Sequence, residues 1–103
     1  MIEKVKNYKV IRFDCLPSTN DYAKTLTENT FVIARSQTGG RGTKGRSFSS
    51  QKGGIYLTKL SFEKRLAKDA FLVMAGTAVA VCKTLEAFGL SPCIKWANDI
   101  FVN

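Results

Sequence analysis

From about Ala67 to Phe88 the chain repeats apolar side chains at three- and four-residue steps. Phe71, Met74, Ala78, Val81, Leu85 and Phe88 fall on one stripe of a helix. Gly89 is a natural stop for it. A helix of ~20 residues is ~30 Å long, about the width of a small domain. Everything else must therefore be arranged around it, and its stripe is expected to form core. The remaining signals are mostly for strands. Lys9–Asp14 carries Val, Ile and Phe and is broken by Pro17. Ser18 is a good N-cap for a short helix to about Leu26, with Asp21 in a capping-box-like place and Tyr22, Ala23 and Leu26 turned to the core. Phe31–Ala34 is a second strand. Gly54–Leu60 is a third, with Ile55, Leu57 and Lys59 on one face and Tyr56, Thr58 and Leu60 on the other. Cys93–Trp96 and Ile100–Val102 read as two more, joined by a turn at Asn98-Asp99. Strands are thus interleaved with two helices along the chain.

At 103 residues the chain has room for one small domain. Its 45% hydrophobic content is that of a globular chain. No apolar run approaches the ~20 residues that span a bilayer, and the N-terminus lacks a signal-peptide pattern. Three cysteines, Cys15, Cys82 and Cys93, have no C-x-x-C spacing, and there is no histidine. Reduced, mostly buried thiols in a cytoplasmic protein are expected, and a zinc site is not. The net charge of +8 invites a nucleic-acid reading. However, the cations are spread along the chain without interleaved aromatics, so attraction to an anionic ligand or acidic partner explains them as well.

The segment Gln37-Thr38-Gly39-Gly40-Arg41-Gly42-Thr43-Lys44-Gly45-Arg46 holds four glycines and three cations in ten residues. Glycine lets a backbone come close to a ligand. Successive exposed N–H groups can cradle an anion. Arginine adds a planar fork suited to phosphate or carboxylate. The stretch therefore suits a loop folded over a phosphate-bearing small molecule. It fits neither of the two common phosphate fingerprints, and its composition is equally that of a mobile solvated loop.

Five motifs then fall in order: Ser18-Thr19-Asn20 at a helix start, the Gln37–Arg46 loop, Phe48-Ser49-Ser50, Gly53-Gly54-Ile55-Tyr56-Leu57, and Ile94-Lys95-Trp96-Ala97-Asn98-Asp99-Ile100. In this order and spacing they closely resemble the biotin–protein ligases, whose patterns read S-T-N, Q-T-x-G-R-G-R-x-G-R, G-G-x-Y and K-W-P-N-D. The resemblance spans nearly the whole chain. It implies an α+β fold with a mixed sheet flanked by helices, related to class II aminoacyl-tRNA synthetases and lipoate ligases. It also implies a two-step reaction, in which biotin and ATP give biotinoyl-5′-AMP and the biotinoyl group passes to a lysine of a biotin carboxyl carrier domain. Magnesium would accompany the ATP.

The same resemblance assigns residues. Ser18, Thr19, Asn20, Gln37, Arg41, Gly42 and Thr43 fall on the biotin site, with Thr19 and Gln37 the foremost ureido contacts. Gly40, Lys44, Gly45, Phe48, Asn98 and Asp99 fall on the adenylate and phosphates, with Asp99 near the metal. Arg41, Arg46 and Lys95 fall among the groups that neutralise charge during the reaction. These types suit the chemistry. Two anions must be brought together, and a neutral ureido ring needs neutral donors and acceptors. Plainer roles stand beside each: Ser18 as a cap, Asn98-Asp99 as a turn, Trp96 as core, Phe48 as cover for the loop, Lys95 and Arg41 as solvated cations.

Thr43 stands where the family usually has a third loop arginine, and Ala97 where it has proline. The family's essential lysine, in a K-x-x-G-I-L segment, belongs just past residue 103. The chain therefore reads as the N-terminal part of a catalytic domain, without a winged helix or a C-terminal β-barrel. On that reading it would be weakly active or inactive alone, and operator binding is not expected. Self-association through the last strand is conceivable, as is a noncatalytic biotin- or nucleotide-binding remnant. A lipoate-ligase relative is a further reading, and a basic nucleic-acid-binding domain a fourth.

Overall fold

A computed structural model of the chain describes residues 3–42, 46–47, 49–62, 69–95 and 99–102. The chain divides into two compact units, residues 1–62 and 63–103. Each is taken by itself.

In the first unit Pro17 ends β2 (Tyr8–Leu16), as expected of a residue with no N–H to give the ladder. Ser18 is extended, and its hydroxyl accepts the Asp21 N–H at 3.2 Å, opening α1 (Thr19–Ala23). This helix is shorter than expected. The Thr25 and Leu26 N–H groups bond three residues back, to Tyr22 and Ala23, so the last turn tightens and closes. β3 (Thr30–Gln37) then runs parallel to β2, pairing Ile11 with Val32 and Phe13 with Ala34. β4 (Tyr56–Leu60) returns antiparallel to β3. A short β1 (Glu3–Val5) pairs antiparallel with β2 through a tight turn in which Lys6 has a φ of 54°. The four strands form one mixed sheet in the order β1-β2-β3-β4.

One face of this sheet carries the core. Leu16, Ala23, Val32 and Ala34 are buried together, with Phe13, Tyr22, Leu26, Tyr56 and Leu60 packed against them. α1 covers this face, lying against β3 and β4. Phe13 and Tyr22 meet edge to face at 4.8 Å, the geometry that ring quadrupoles favour. Val32 is wholly buried, and burying a valine contributes roughly 1.5–3 kcal/mol. The alternation expected for β4 holds for Tyr56, Thr58 and Leu60, which point inward. Ile55 lies outside the strand and is 86% exposed.

The second unit holds α2 (Ala70–Ala87), β5 (Pro92–Lys95) and β6 (Asp99–Val102). The two strands pair antiparallel, and α2 packs on both. Gly89 ends the helix with a φ of 82°, and the Leu90 N–H caps back to the Leu85 carbonyl at 3.1 Å. The apolar stripe is not core here. Within α2, Ala78 alone is buried, while Phe71, Met74 and Val81 are exposed, as is Phe88 beyond it. Two four-residue strands cannot cover an eighteen-residue helix.

α2 is also long and apolar enough, by length and composition alone, to cross a bilayer, with a mean hydropathy of 1.5. This corrects the expectation that no segment reaches that length. Asp99 belongs to β6, opposite Lys95, and not to a turn. The thiols are free but not mostly buried: Cys15 and Cys93 are exposed and Cys82 is half-buried.

Candidate functional site

β2 and β3 are parallel, so their carboxyl ends emerge side by side, and such ends are where open sheets collect ligand-binding groups. Here β2 delivers Ser18-Thr19-Asn20, and β3 delivers Gln37 and the glycine-rich loop.

The Gln37 carboxamide is the node. Its Oε1 accepts the Thr19 backbone N–H at 2.8 Å, and its Nε2 donates to Ser50 Oγ at 3.0 Å. The Gln37 backbone N–H also donates to the Ser50 carbonyl, at 2.9 Å. On the other side of α1's first turn, Thr58 Oγ1 lies 2.8 Å from Thr19 Oγ1 and is also hydrogen-bonded to Asn20 Oδ1. Thr58 has a single hydroxyl proton, which Asn20 Oδ1, an acceptor only, takes, leaving Thr58 Oγ1 as the partner of the Thr19 hydroxyl. Ser18, Thr19 and Ser50 are buried, and no buried side-chain polar atom among the described residues lacks a partner. This is a neutral, hydrogen-bonding surface.

The loop doubles back on itself. Its stem is the Gln37–Ser50 pairing, and further out Arg41 pairs with Ser47. The Gly42 N–H donates to the Arg46 carbonyl at 2.6 Å. At its base the Gly39 N–H donates to the Pro17 carbonyl at 2.7 Å. A Cβ added at Gly39 would stand 3.1 Å from that same oxygen, so glycine is what allows the close approach. The Arg41 guanidinium is ion-paired with Asp21 of α1. The expected loop cation is therefore docked, not waving in solvent.

The Gly-Gly-x-Tyr stretch has its own logic. Tyr56 folds back so that its hydroxyl donates to the Gln51 carbonyl at 2.6 Å. A Cβ on Gly54 would lie 2.5 Å from that hydroxyl, and Gly53 has a φ of 109°.

Two clefts meet here. One, of about 660 Å³, is lined by Cys15, Gln37, Gly40, Arg41, Ser47 and Ser50 among others. The smaller, of about 240 Å³, is lined by Ser18, Thr19, Asn20, Gln37, Arg41 and Thr58 with Tyr56 and its neighbours. Gln37 and Arg41 line both.

Of the residues expected from sequence, Ser18, Thr19, Asn20, Gln37, Gly40 and Arg41 are thus brought together, with Gly42 and Arg46 further along the loop. Lys95 and Asp99 lie in the second unit, directly opposite each other in the β5–β6 pair. The Lys95 ammonium sits 5.9 Å from the Phe101 ring centroid. Thr43, Lys44, Gly45, Phe48, Trp96, Ala97 and Asn98 lie outside the described residues. Among the described residues no three carboxylate, histidine or cysteine side chains converge as a metal site.

Three contributors were not singled out from sequence for a role at the site: Asp21 as the partner of Arg41, Ser50 as the partner of Gln37, and Thr58 as the partner of Thr19 and Asn20. Thr58 was detectable as an inward position of β4. The other two pairings join residues 20 and 13 positions apart, with no local periodicity to reveal them.

A mixed sheet with neutral hydrogen-bonding groups and a glycine–arginine loop at the ends of a parallel strand pair is an arrangement suited to a small polar, anionic ligand. The chain matches the biotin/lipoate A/B protein ligase family over residues 12–103 and belongs to that family. It is 35% identical over 107 residues to the bifunctional ligase/repressor BirA of Bacillus subtilis, and 37% identical over 108 residues to that of Bacillus spizizenii. These alignments take in 97% of this chain but 33% of each relative, so the chain spans about a third of the curated relatives' length. Among solved structures it is similar to a biotin protein ligase from Aquifex aeolicus in complex with biotin and ATP, with a TM-score of 0.79 and 27% identity. That match covers 89% of this chain and 40% of that one. The Leishmania major biotin protein ligase in complex with biotinyl-5-AMP matches with a TM-score of 0.63 and 25% identity, over 91% of this chain and 47% of that one. Both support the mixed-sheet α+β architecture expected from sequence.

Proposed function

We propose that residues 1–103 form the N-terminal part of a biotin–protein ligase catalytic domain, contributing the biotin pocket and the loop that covers the activated intermediate. The observation that carries this reading is the Thr19–Gln37–Ser50 cluster, a buried neutral hydrogen-bonding surface set beside a glycine–arginine loop.

In the first step a biotin carboxylate oxygen attacks the α-phosphorus of ATP. The new bond is the acyl–phosphate bond of biotinoyl-5′-AMP, the bond to the β-phosphate oxygen breaks, and pyrophosphate leaves. Both reactants are anions, so the step needs cations and alignment more than it needs a proton shuttle. Arg41 and Arg46 supply positive charge on the loop. The ureido ring is neutral, and Thr19, Asn20 and Gln37 offer neutral donors and acceptors for it. Lys95, Asn98 and Asp99 are assigned to the adenylate side, with Mg2+ balancing the polyphosphate charge. In the second step a lysine amine of a biotin carboxyl carrier domain attacks the acyl carbon, forming the amide and releasing AMP. The relatives solved with biotin and ATP, or with biotinyl-5-AMP, support this choice of ligands.

The polar lining of the smaller cleft favours a ureido ring over an apolar dithiolane, so biotin is preferred to lipoate as the acyl substrate. The test is biotin-dependent exchange of pyrophosphate into ATP by the chain, together with direct titration of biotin and lipoate. Exchange, or saturable biotin binding weakened by Gln37→Met, is expected. Binding of lipoate alone, or of neither, would overturn the proposal.

A further inference from the structure

Ser50 stands at the far end of the loop from the helix tip, yet it holds Gln37 twice. Its carbonyl takes the Gln37 backbone N–H at 2.9 Å, and its hydroxyl takes one carboxamide N–H at 3.0 Å. The opposite end of the carboxamide is fixed by the Thr19 N–H at 2.8 Å. An amide held this way cannot flip: turned over, it would set N–H against N–H at Thr19. Its orientation is therefore determined, with the oxygen toward α1 and the nitrogen toward the loop stem. Among the described residues one carboxamide N–H is uncommitted, on a residue that lines both clefts.

We propose that Ser50 is a specificity-determining positioning residue, which orients Gln37 so that its second N–H is offered to a carbonyl oxygen of the bound ring. This rests on the biotin reading above and goes beyond it, since it names the residue that makes the pocket select a ureido oxygen. Ser50 is 4% exposed, and its hydroxyl meets the Gln37 carboxamide at the edge of the larger cleft. It also lies where the loop rejoins the sheet, so recognition of the ring is tied to the geometry of the loop stem.

The discriminating ligand is 2-thiobiotin, in which sulfur, a weaker acceptor, replaces the ureido oxygen without changing charge or shape much. The unmodified chain is expected to bind biotin more tightly than 2-thiobiotin. Ser50→Ala removes the acceptor that holds the nitrogen end, leaving the carboxamide pinned only at its oxygen by the Thr19 N–H. Its second N–H is then aimed less well, and the preference should fall roughly three- to tenfold, the worth of one neutral hydrogen bond. Ser50→Cys keeps the size and a weak acceptor and should restore part of the preference. It also serves if the alanine variant fails to fold, as judged by thermal melting. Gln37→Glu keeps an oxygen for Thr19 but removes the N–H, and should lose the preference with Ser50 intact. Equal weakening of both ligands by Ser50→Ala, or no change in the ratio, would overturn the positioning role. Failure of the unmodified chain to bind either ligand would instead overturn the biotin reading on which it rests.

Discussion

Asp21→Asn should increase the affinity of the site for a phosphate-bearing ligand. In the structure the Arg41 guanidinium is ion-paired with Asp21, so a ligand phosphate reaches this cation only by displacing a carboxylate. The size of the effect follows from exposure. The two side chains are 54% and 44% exposed, so the pair is half in water. In a deep interior such a contact would be worth many kcal/mol, but partly exposed pairs contribute about 0–1 kcal/mol. Removing the carboxylate should therefore change stability little and release at most ~1 kcal/mol for ligand binding, roughly a two- to fivefold gain. Asp21 also faces Lys24 at 3.7 Å, so Lys24→Gln is the control that separates the two cations and should leave affinity unchanged. The assay is calorimetric titration of AMP at low salt and again at about 1 M salt, where screening acts over ~3 Å. The gain should appear at low salt and fade at high salt, while a neutral biotin amide should bind the variant and the parent alike. Weaker AMP binding in Asp21→Asn, a gain indifferent to salt, or an equal gain for the neutral amide would refute the reasoning.

Other outcomes follow from the same geometry. Gly39→Ala places a methyl 3.1 Å from the Pro17 carbonyl, beside a rigid ring. It should cost about 1 kcal/mol through the displaced Gly39–Pro17 hydrogen bond, seen as a lower Tm, and should weaken biotin binding in titration. Thr58→Val keeps the shape but removes the hydroxyl that Thr19 and Asn20 share. A loss of about 1–3 kcal/mol in denaturant unfolding is expected, with Thr58→Ser close to the parent. Thr43→Arg restores the loop cation usual in the family, and slower release of biotinoyl-5′-AMP in a chase experiment is expected.

Much of the architecture could be read from the chain because local chemistry dictated it. Pro17 closes β2, Ser18 caps α1 and Gly89 stops α2, each at the expected residue. β1 escaped notice because Glu-Lys-Val carries no strand pattern; it exists through its ladder to β2 and a Lys6 turn. β3 runs three residues past its apolar stretch because Arg35, Ser36 and Gln37 are held by pairing with β2 and Ser50, a non-local cause. The stripe on α2 was rightly read as helical, but periodicity shows which side is apolar and not what covers it. At the site, Thr19, Gln37 and Arg41 could be named because their side chains suit the chemistry. Their partners Ser50, Thr58 and Asp21 stood in a motif, on a strand face and in a helix's first turn, but the pairings themselves are made across the fold and no local pattern reveals them.

The double hold of Ser50 on Gln37 also says how sequence change should be distributed along this segment. Exchanges at other loop positions, which carry no bond to the carboxamide among the described residues, would leave its orientation alone. On the proposed reading, exchanges at the two feet would alter which ring is accepted, so change away from the feet and constancy at Gln37 and Ser50 is the pattern the double hold favours.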